Sequence, residues 1–469
     1  MHRDLRGEPV SCANGRVCAL FEQALQQFQS YVGDPVATID EALEEDADFV
    51  LGHVFRATAL LLMSERQYLP EARKSVWSAE ALAGKANDRE RGLIVAARRW
   101  LDGDWAGACR AWDEVLVHHP RDAFAIQAAH LTDFYRGDAI NLRDRIARVL
   151  PHWSEGTPGY SYVLGMYAFG LEECNLYGRA EEAGRRALEI EPKDGWAVHA
   201  VAHVMEMEAR FDEGIEWYNT RQADWSPDNA FAFHNWWHLG LYHQERAEYR
   251  RALSIYDKQI LPEPSDVSLQ LVDASAFLWR LHLQDVDTGD RWAGLANIWE
   301  QKSEVENGYY AFNDLHALMA FVADGREQQT QQLMADLGKA AAGGRHINAM
   351  MTRDVGMPVC RAFYAFARGE YHDAIEWLLP FRTIARRFGG SHAQRDVLSQ
   401  TLIEAAIRGG RHELARNLIN EREQLKPHSP LAWRFMSKAR KAAGDREGAI
   451  AARTKANDLV SESSRRQAA

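Results

Sequence analysis

The sequence predicts an all-α fold made of repeated helical hairpins, and three observations support this prediction. A short turn motif recurs ahead of apolar helical segments, a small residue recurs five positions after it, and prolines close several of the units. Alternating Val/Ile/Thr segments bounded by Asn-Gly turns, which are typical of strands, are scarce in the sequence. Regular repetition of this kind indicates an array of helices.

The turn motif consists of Gly or Ala, then a charged residue, and often an aromatic residue. It begins at Gly33, Gly103, Ala209, Ala247, Gly369, Gly410 and Gly444. The residue five positions later is usually small, which lets two helices approach closely: Ala108, Gly214, Ala252, Ala374, Ala415 and Ala449. Several units end at a proline, which cannot continue the preceding helix: Pro120, Pro192, Pro227 and Pro427.

These signals resemble the tetratricopeptide repeat, a helix-turn-helix unit of about 34 residues. The resemblance implies a right-handed α-solenoid of about ten to twelve hairpins, strongly curled around a central cavity. We expect one continuous superhelix over 1–460, with the pocket-forming repeats at about 156–260 and a frayed tail over 461–469. A helical bundle with an accidental period is the alternative.

Composition narrows the class of protein. The chain has 469 residues, of which 46% are hydrophobic and 26% charged, so wholesale disorder and a disulfide-stapled mini-fold are excluded. It has no apolar run of about 20 residues and no apolar stretch at its N-terminus, which predicts a cytoplasmic protein without a membrane partner. The net charge of −12 predicts no nucleic-acid partner. The five cysteines lack a C-x-x-C motif, so we expect free thiols.

Two pairs of histidines occupy equivalent positions of consecutive repeats. His199 and His203 lie seven and eleven residues after Pro192, and His234 and His238 have the same spacing from Pro227. Helical geometry puts His199, His203 and Glu206 on one face. The tetratricopeptide resemblance implies that these positions line the concave groove together with Trp196, Phe231 and Tyr242. Further candidate ligand-binding residues of the same segment are Asn235, Trp236 and His243.

Four imidazoles and a carboxylate in one groove are compatible with three interpretations. His199, His203, His234 and His238 could bind a divalent transition metal, since His at i and i+4 offers two ligands from one helix. The same histidines could be acid–base groups, with Glu206 as a base. Alternatively, they are hydrogen-bonded groove residues that hold neighbouring repeats together. The order H-E-x-x-H of zincin proteases does not occur here.

Two further clusters are candidate ligand-binding residues. Asn313, Asp314 and His316 place polar groups in an otherwise apolar helix, where buried polar groups need partners. The segment from Gly389 to Asp396 indicates a glycine hinge, a serine cap and a helix start, with His392, Arg395 and Asp396 on one side of its first turn. A helix start near an arginine is a possible anion site. For both clusters an interhelical hydrogen-bond network is the alternative.

Several of these motifs together resemble the tetratricopeptide repeat protein 38 family almost end to end. The matching segments are 3–7, His-Ala-Val-Ala-His-Val-Met-Glu-Met at 199–207, His-Asn-Trp-Trp-His at 234–238, 312–317 and 391–396. The resemblance implies the fold and the pocket positions, and it implies no reaction. Ala209 departs from the family pattern, which has Gly there.

Nucleotide-binding, serine-hydrolase and zinc-ribbon motifs are absent from the sequence. The leading functional prediction is binding of a small molecule, a peptide end or a metal in a pocket lined by His, Trp and Glu. An alternative is a hydrolase-like or lyase-like enzyme in which His199, His203, His234, His238 and Glu206 are catalytic and Arg395 holds an anionic substrate. A third is a scaffold that binds other proteins. Homo-oligomerisation through an outer face is possible.

Overall fold

The computed structural model describes residues 2–344 and 346–468, with side chains up to Ser461. The predicted all-α class is confirmed, because helices make up most of the described chain. Two short strands, β1 (His2–Arg3) and β2 (Pro9–Val10), pair antiparallel.

The first half of the chain has these helices: α1 (Gly15–Ser30), α2 (Pro35–Glu45), α3 (Val50–Leu61), α4 (Leu69–Ala81), α5 (Asp88–Leu101), α6 (Trp105–His118), α7 (Ala123–Arg136), α8 (Ala139–Val149), α9 (Tyr160–Glu173), α10 (Tyr177–Ile190), α11 (Gly195–Met207), α12 (Phe211–Thr220) and α13 (Gln222–Trp225). The second half has these: α14 (Ala232–Glu245), α15 (Tyr249–Ile255), α16 (Ser268–Leu283), α17 (Arg291–Glu306), α18 (Ala311–Ala323), α19 (Glu327–Ala341), α20 (Ile347–Met351), α21 (Met357–Ala367), α22 (Tyr371–Leu378), α23 (His392–Arg408), α24 (His412–Leu425), α25 (Pro430–Ala442) and α26 (Arg446–Ala468). Short 3₁₀ turns lie at Arg66–Tyr68, Leu150–His152 and Ala385–Phe388, and π turns at Tyr256–Ile260 and Thr352–Gly356.

The predicted turns are confirmed. All seven turn residues have positive φ, including the two alanines, Ala209 at 57° and Ala247 at 58°, which occupy a region that glycine usually fills. The small residues that follow them are buried, and at Gly214 a Cβ would lie 2.4 Å from the Tyr242 ring. The closing prolines lie between helices, as predicted. These turns and close contacts make the helices pack as tetratricopeptide-type hairpins.

The chain divides into two compact units. Unit 1 comprises the described residues of Met1–Val201, Ala223–Ala232 and Gly343–Met350. Its consecutive helices pack in pairs, such as α1 with α2, α3 with α4, α5 with α6, and α9 with α10. In its core Arg89 forms a buried ion pair with Asp122 at 2.7 Å, and the rings of Trp100 and Trp105 stack with centroids 4.6 Å apart.

Unit 2 comprises Ala202–Gln222, Phe233–Ala342 and the described residues of Met351–Ala469. Here α21 packs on α22 and α25 on α26, and α16 contacts both α18 and α23. Helix α11 begins in unit 1 and ends in unit 2. One continuous superhelix over 1–460 stays a prediction. The expected fraying of 461–469 also stays a prediction, since Ala469 and the side chains of 462–468 lie outside the described residues.

The expectation of five free thiols is wrong for one pair. Cys12 and Cys18 form a disulfide, because the start of α1 brings their Cα atoms to 5.7 Å, within the usual bridging range. Cys109, Cys174 and Cys360 are free. Among the described helices, none combines the length and apolarity required to cross a membrane.

Candidate functional site

Three of the four predicted histidines come together in unit 2. His203 lies near the end of α11, and His234 and His238 lie one turn apart on α14. All three side chains are buried. The ring centroids are 4.4 Å apart for His203 and His238 and 4.9 Å apart for His234 and His238. Each ring offers one nitrogen, and these nitrogens lie within 4.8 Å of one another. We call these three residues the histidine cluster.

Buried carboxylates fix two of these rings. Nδ1 of His234 donates to Oδ2 of Asp273 on α16 at 2.7 Å, and Nδ1 of His238 donates to Oε2 of Glu206 on α11 at 3.1 Å. A hydrogen bond at Nδ1 orients an imidazole and directs its Nε2 away from the carboxylate. Ring stacking of Trp237 on His234, with centroids 5.4 Å apart, restricts that ring further.

Glu206 also belongs to a buried network of ion pairs that connects α11, α14, α23 and the end of α24 in unit 2. Its Oε1 lies 3.0 Å from Nζ of Lys426, which is also 3.4 Å from Glu245. Arg422 is 3.2 Å from Glu245 and 2.8 Å from Asp396. We call these five residues the charge network. Burial alone would suppress ionisation of such groups, so each charge depends on its partners.

The pKa directions follow from this arrangement. Burial opposes ionisation of Glu206, but Lys426 and His203 outweigh it and lower the pKa of the carboxyl. Burial also opposes the charge of Lys426, and Glu206 and Glu245 raise the pKa of its amine. Arg422 lowers the pKa of Asp396 to about 2 against the effect of burial. Burial lowers the pKa of His238 far below its usual range, and the neighbouring histidines act in the same direction.

A cavity of about 410 Å³ lies beside the charge network within unit 2. Glu206, His392, Arg395 and Asp396, all predicted site residues, line it. Its apolar wall is formed by side chains that include Leu378, Phe381, Leu398, Leu402, Ile403 and Leu418. Arg382 and Arg386, both exposed, also line it. We call it the Arg395 cavity.

The helix start predicted at Ser391 is present. Ser391 caps α23, with its hydroxyl accepting from the Gln394 N–H and the Gln394 side chain accepting from the Ser391 N–H. Arg395 donates to the Gly390 carbonyl. The ring of Phe312 at the start of α18 lies 5.2 Å from that of Phe388, so α18 and the 388–390 segment are in contact.

Three predicted site residues lie in unit 1. The His199 ring has its centroid 5.4 Å from Phe169, 5.2 Å from Trp196 and 5.1 Å from Phe231. Trp196 and Phe231 are 5.1 Å apart, and Tyr31 stacks on both rings. In unit 1, therefore, His199 is surrounded by aromatic side chains.

Other predicted site residues make local contacts. Nδ1 of His243 donates to Glu248 at 2.6 Å, and Oδ1 of Asn235 accepts from the Tyr218 hydroxyl at 3.1 Å. The Tyr242 hydroxyl donates to the Ala202 carbonyl at 2.6 Å, which joins α14 to α11. Trp236 is buried on α14.

The polar residues of α18 are bonded close to the helix start. Nδ1 of His316 donates to the Phe312 carbonyl at 2.7 Å, and Oδ1 of Asp314 accepts from the Gly308 N–H at 2.9 Å. Asn313 is buried beside them. Burial lowers the pKa of His316 to about 4.

Sequence reasoning predicted Glu206, but it did not single out Asp273 or the charged residues around Glu206. Asp273, Glu245, Arg422 and Lys426 were not among the predicted site residues. Asp273 is a lone acid in the apolar helix α16, which is the signal that drew attention to Asn313 and could have identified it. Lys426 directly follows α24 in a polar segment, where a charged residue does not stand out from its neighbours.

No known family model matches the sequence. Among solved structures, the chain is similar to the human IFIT1 dimer with m7Gppp-AAAA, at 14% identity and a TM-score of 0.43, over 96% of each chain. Yeast Tom70 gives 12% identity and a TM-score of 0.34, over 76% of this chain and 88% of that one. The P58(IPK) TPR domain gives 11% identity and a TM-score of 0.23, over 80% of this chain and 96% of that one. Because these TM-scores are below 0.5, we infer nothing from the ligands or partners of those proteins.

Proposed function

We propose that unit 2 binds a divalent transition metal ion at the histidine cluster and a small molecule or peptide end in the Arg395 cavity. The observation that supports a metal is the pairing of His234 with Asp273 and of His238 with Glu206. Histidines that bind metals typically donate their other ring N–H to a carboxylate, which fixes the tautomer and orients the ring.

The separation of the rings is compatible with one ion. Ligand nitrogens on a tetrahedral zinc ion lie about 2.0 to 2.1 Å from the metal and therefore about 3.3 Å from one another. The offered nitrogens of His203, His234 and His238 already lie within 4.8 Å of one another, so small ring rotations would close the site. Three imidazoles would leave a fourth position on the ion for an exogenous ligand, and metal binding by His199 stays a prediction of the sequence.

Charge near the cluster is compatible with a cation. The buried carboxylates of this region equal its buried cations in number when the histidines are neutral. The carboxylates are Glu206, Glu245, Asp273 and Asp396, and the cations are Arg280, Arg422, Lys426 and Arg434. A divalent ion therefore enters surroundings that are not already positive.

The ligand of the Arg395 cavity is expected to combine an apolar part with an anionic group. Leucines of α23 and α24 offer the apolar wall, whereas Arg386 and Arg395 offer cations. A volume of about 410 Å³ is in the range of small-molecule sites. Ligand contact stays a prediction for the other predicted residues, which lie outside this cavity and include Trp196, Phe231 and Asn313.

Binding is better supported than catalysis. A general base works best with a pKa near the working pH, whereas Lys426 lowers the pKa of Glu206. Glu206 is therefore better suited to position His238. Membership of the tetratricopeptide repeat protein 38 family, a cytoplasmic location and the absence of nucleic-acid partners remain predictions of the sequence.

Metal competition tests this proposal. Chelator-treated protein would be titrated with Zn²⁺ against a chromophoric chelator, in the wild type and in His203→Ala and His238→Ala. We expect one tight site in the wild type and a loss of at least about tenfold in affinity in each variant. His372→Ala is the control, since His372 is exposed on α22 of the same unit.

Absence of a tight zinc site in the wild type would refute the metal assignment, and so would variants that bind zinc as tightly as the wild type.

A thermal-shift screen of wild type and Arg395→Gln tests the Arg395 cavity separately. A ligand at 100 times its Kd stabilises by about 2.7 kcal/mol, and the variant should lose most of this shift for anionic compounds. If neither metal nor small molecules bind, the scaffold interpretation is favoured.

A further inference from the structure

A second cavity in unit 2 is lined by more basic than acidic side chains. It has a volume of about 750 Å³ and is lined by residues of α15, α23, α25 and α26, of the turn before α15 and of the turn after α16. Five cations line it, against two carboxylates, in a chain whose net charge is −12. The cations are Arg408, Arg434, Lys438, Lys441 and Arg453, and the carboxylates are Asp285 and Glu404. We call it the Arg434 cavity.

Two of the cations account for both carboxylates. Lys438 lies 2.8 Å from Glu404 and 3.0 Å from Asp285. Arg408 lies 2.7 Å from Glu404 and 2.8 Å from Asp285. Among the described residues, the remaining three cations, Arg434, Lys441 and Arg453, form no ion pair with a carboxylate of the cavity, and Glu245 acts on Arg434 only at longer range.

Arg434 is the most unusual of these residues, because its side chain is only 7% exposed. Its Nη2 donates to the carbonyls of Gln244, at 3.1 Å, and Glu245. Its Nε has no acceptor among the described residues, and neither has Nε2 of Gln284, which also lines the cavity. Burial and the charge of Arg453 lower the pKa of the guanidinium, whereas Tyr249 and Glu245 raise it. Glu245 is already paired with Arg422 and Lys426, so an anion in the cavity would still offset the cost of burying Arg434.

We propose that the Arg434 cavity binds a phosphorylated small molecule, with its phosphate groups at Arg434, Lys441 and Arg453. Three cations that form no ion pair in the cavity match the charge of a phosphate monoester or a diphosphate better than that of one carboxylate, since a phosphate monoester has a charge of about −1.5 to −2 at pH 7. Guanidinium groups bind phosphate oxygens through two parallel hydrogen bonds. The volume exceeds that of a phosphate alone, and Tyr249, Ile407 and Ala442 offer an apolar side for an organic group.

Isothermal titration calorimetry with inorganic diphosphate tests this site. The wild type would be compared with the double variant Lys441→Gln/Arg453→Gln at low ionic strength. Both residues are exposed, so the substitutions should leave the fold intact. Arg446→Gln is the matched control, because Arg446 is an exposed cation of α26 that does not line the cavity. Diphosphate also chelates metals, so the difference between the variants is the deciding quantity.

We expect wild type and Arg446→Gln to bind diphosphate equally, and the double variant to bind at least about tenfold more weakly, since hydrogen bonds between charged groups are strong. Absence of binding by the wild type up to about 1 mM, or equal binding by the double variant, would overturn the proposal. Phosphatidylcholine vesicles with and without phosphatidic acid identify the source of the phosphate. Binding of the wild type to phosphatidic acid alone, lost in the double variant, would overturn the small-molecule assignment and place a lipid headgroup in the cavity.

Discussion

Replacing Lys426 with methionine removes one charge from the middle of the charge network. The amine of Lys426 contacts Glu206 at 3.0 Å and Glu245 at 3.4 Å, and the three side chains are between 4% and 7% exposed. Methionine is unbranched and apolar, so the substitution changes charge more than packing.

Its two carboxylate partners differ in what they retain. Glu245 keeps Arg422 and the Ser429 hydroxyl at 2.9 Å, whereas Glu206 keeps the hydrogen bond from His238. Removing one partner of a buried ion pair costs about 3 to 5 kcal/mol. Because Glu245 remains compensated, we expect Lys426→Met to destabilise unit 2 by about 3 kcal/mol, mainly through Glu206.

Equilibrium denaturation followed by tryptophan fluorescence measures this change. The double variant Glu206→Gln/Lys426→Met should recover part of the loss, because it leaves no uncompensated charge. Lys339→Met is the control, since its pairing with Asp336 is on the surface and should change stability by less than about 1 kcal/mol. Equal effects of Lys426→Met and Lys339→Met would refute the reasoning.

Three further predictions concern the fold of unit 2. Gly214→Ala should destabilise it by about 1 to 3 kcal/mol in urea denaturation, because the new Cβ would overlap the Tyr242 ring; a smaller loss would mean that the ring moves freely. Ala209→Gly should raise stability by up to about 1 kcal/mol, since Ala209 has a φ of 57°, and any decrease would contradict this. Burial lowers the pKa of His316 to about 4, below its unfolded value of about 6.5. The stability that the neutral imidazole contributes is therefore fully present above pH 6.5 and is lost as the pH falls towards 4. At pH 5 the free energy of unfolding of the wild type should have fallen by about 2 kcal/mol, and that of His316→Asn by less. Equal pH dependence of stability in the two proteins would contradict this prediction.

Local features of the fold could be predicted from the sequence because each depends on neighbouring residues. The turns at Gly103 and Ala247 need a positive φ, and the cap at Ser391 needs only the first turn of α23. Histidine spacing likewise follows from the period of one helix. It predicted that His234 and His238 lie one turn apart on the same helix.

Partners that are distant in sequence could not be predicted in this way. Lys426 is 220 residues from Glu206, and Asp273 is 39 residues from His234. Which helices meet depends on packing angles that add up over many hairpins, and no local pattern specifies their sum. The division of the chain into two units has the same origin, because it depends on which helices are in contact.

X-ray absorption at the zinc edge tests the central claim most directly. Protein loaded with one equivalent of Zn²⁺ should show imidazole scattering from at least three nitrogens at about 2.0 to 2.1 Å, and His238→Ala should lose one of them. A spectrum without imidazole scattering, or protein that retains less than about 0.2 equivalents of zinc after desalting, would contradict metal binding by His203, His234 and His238.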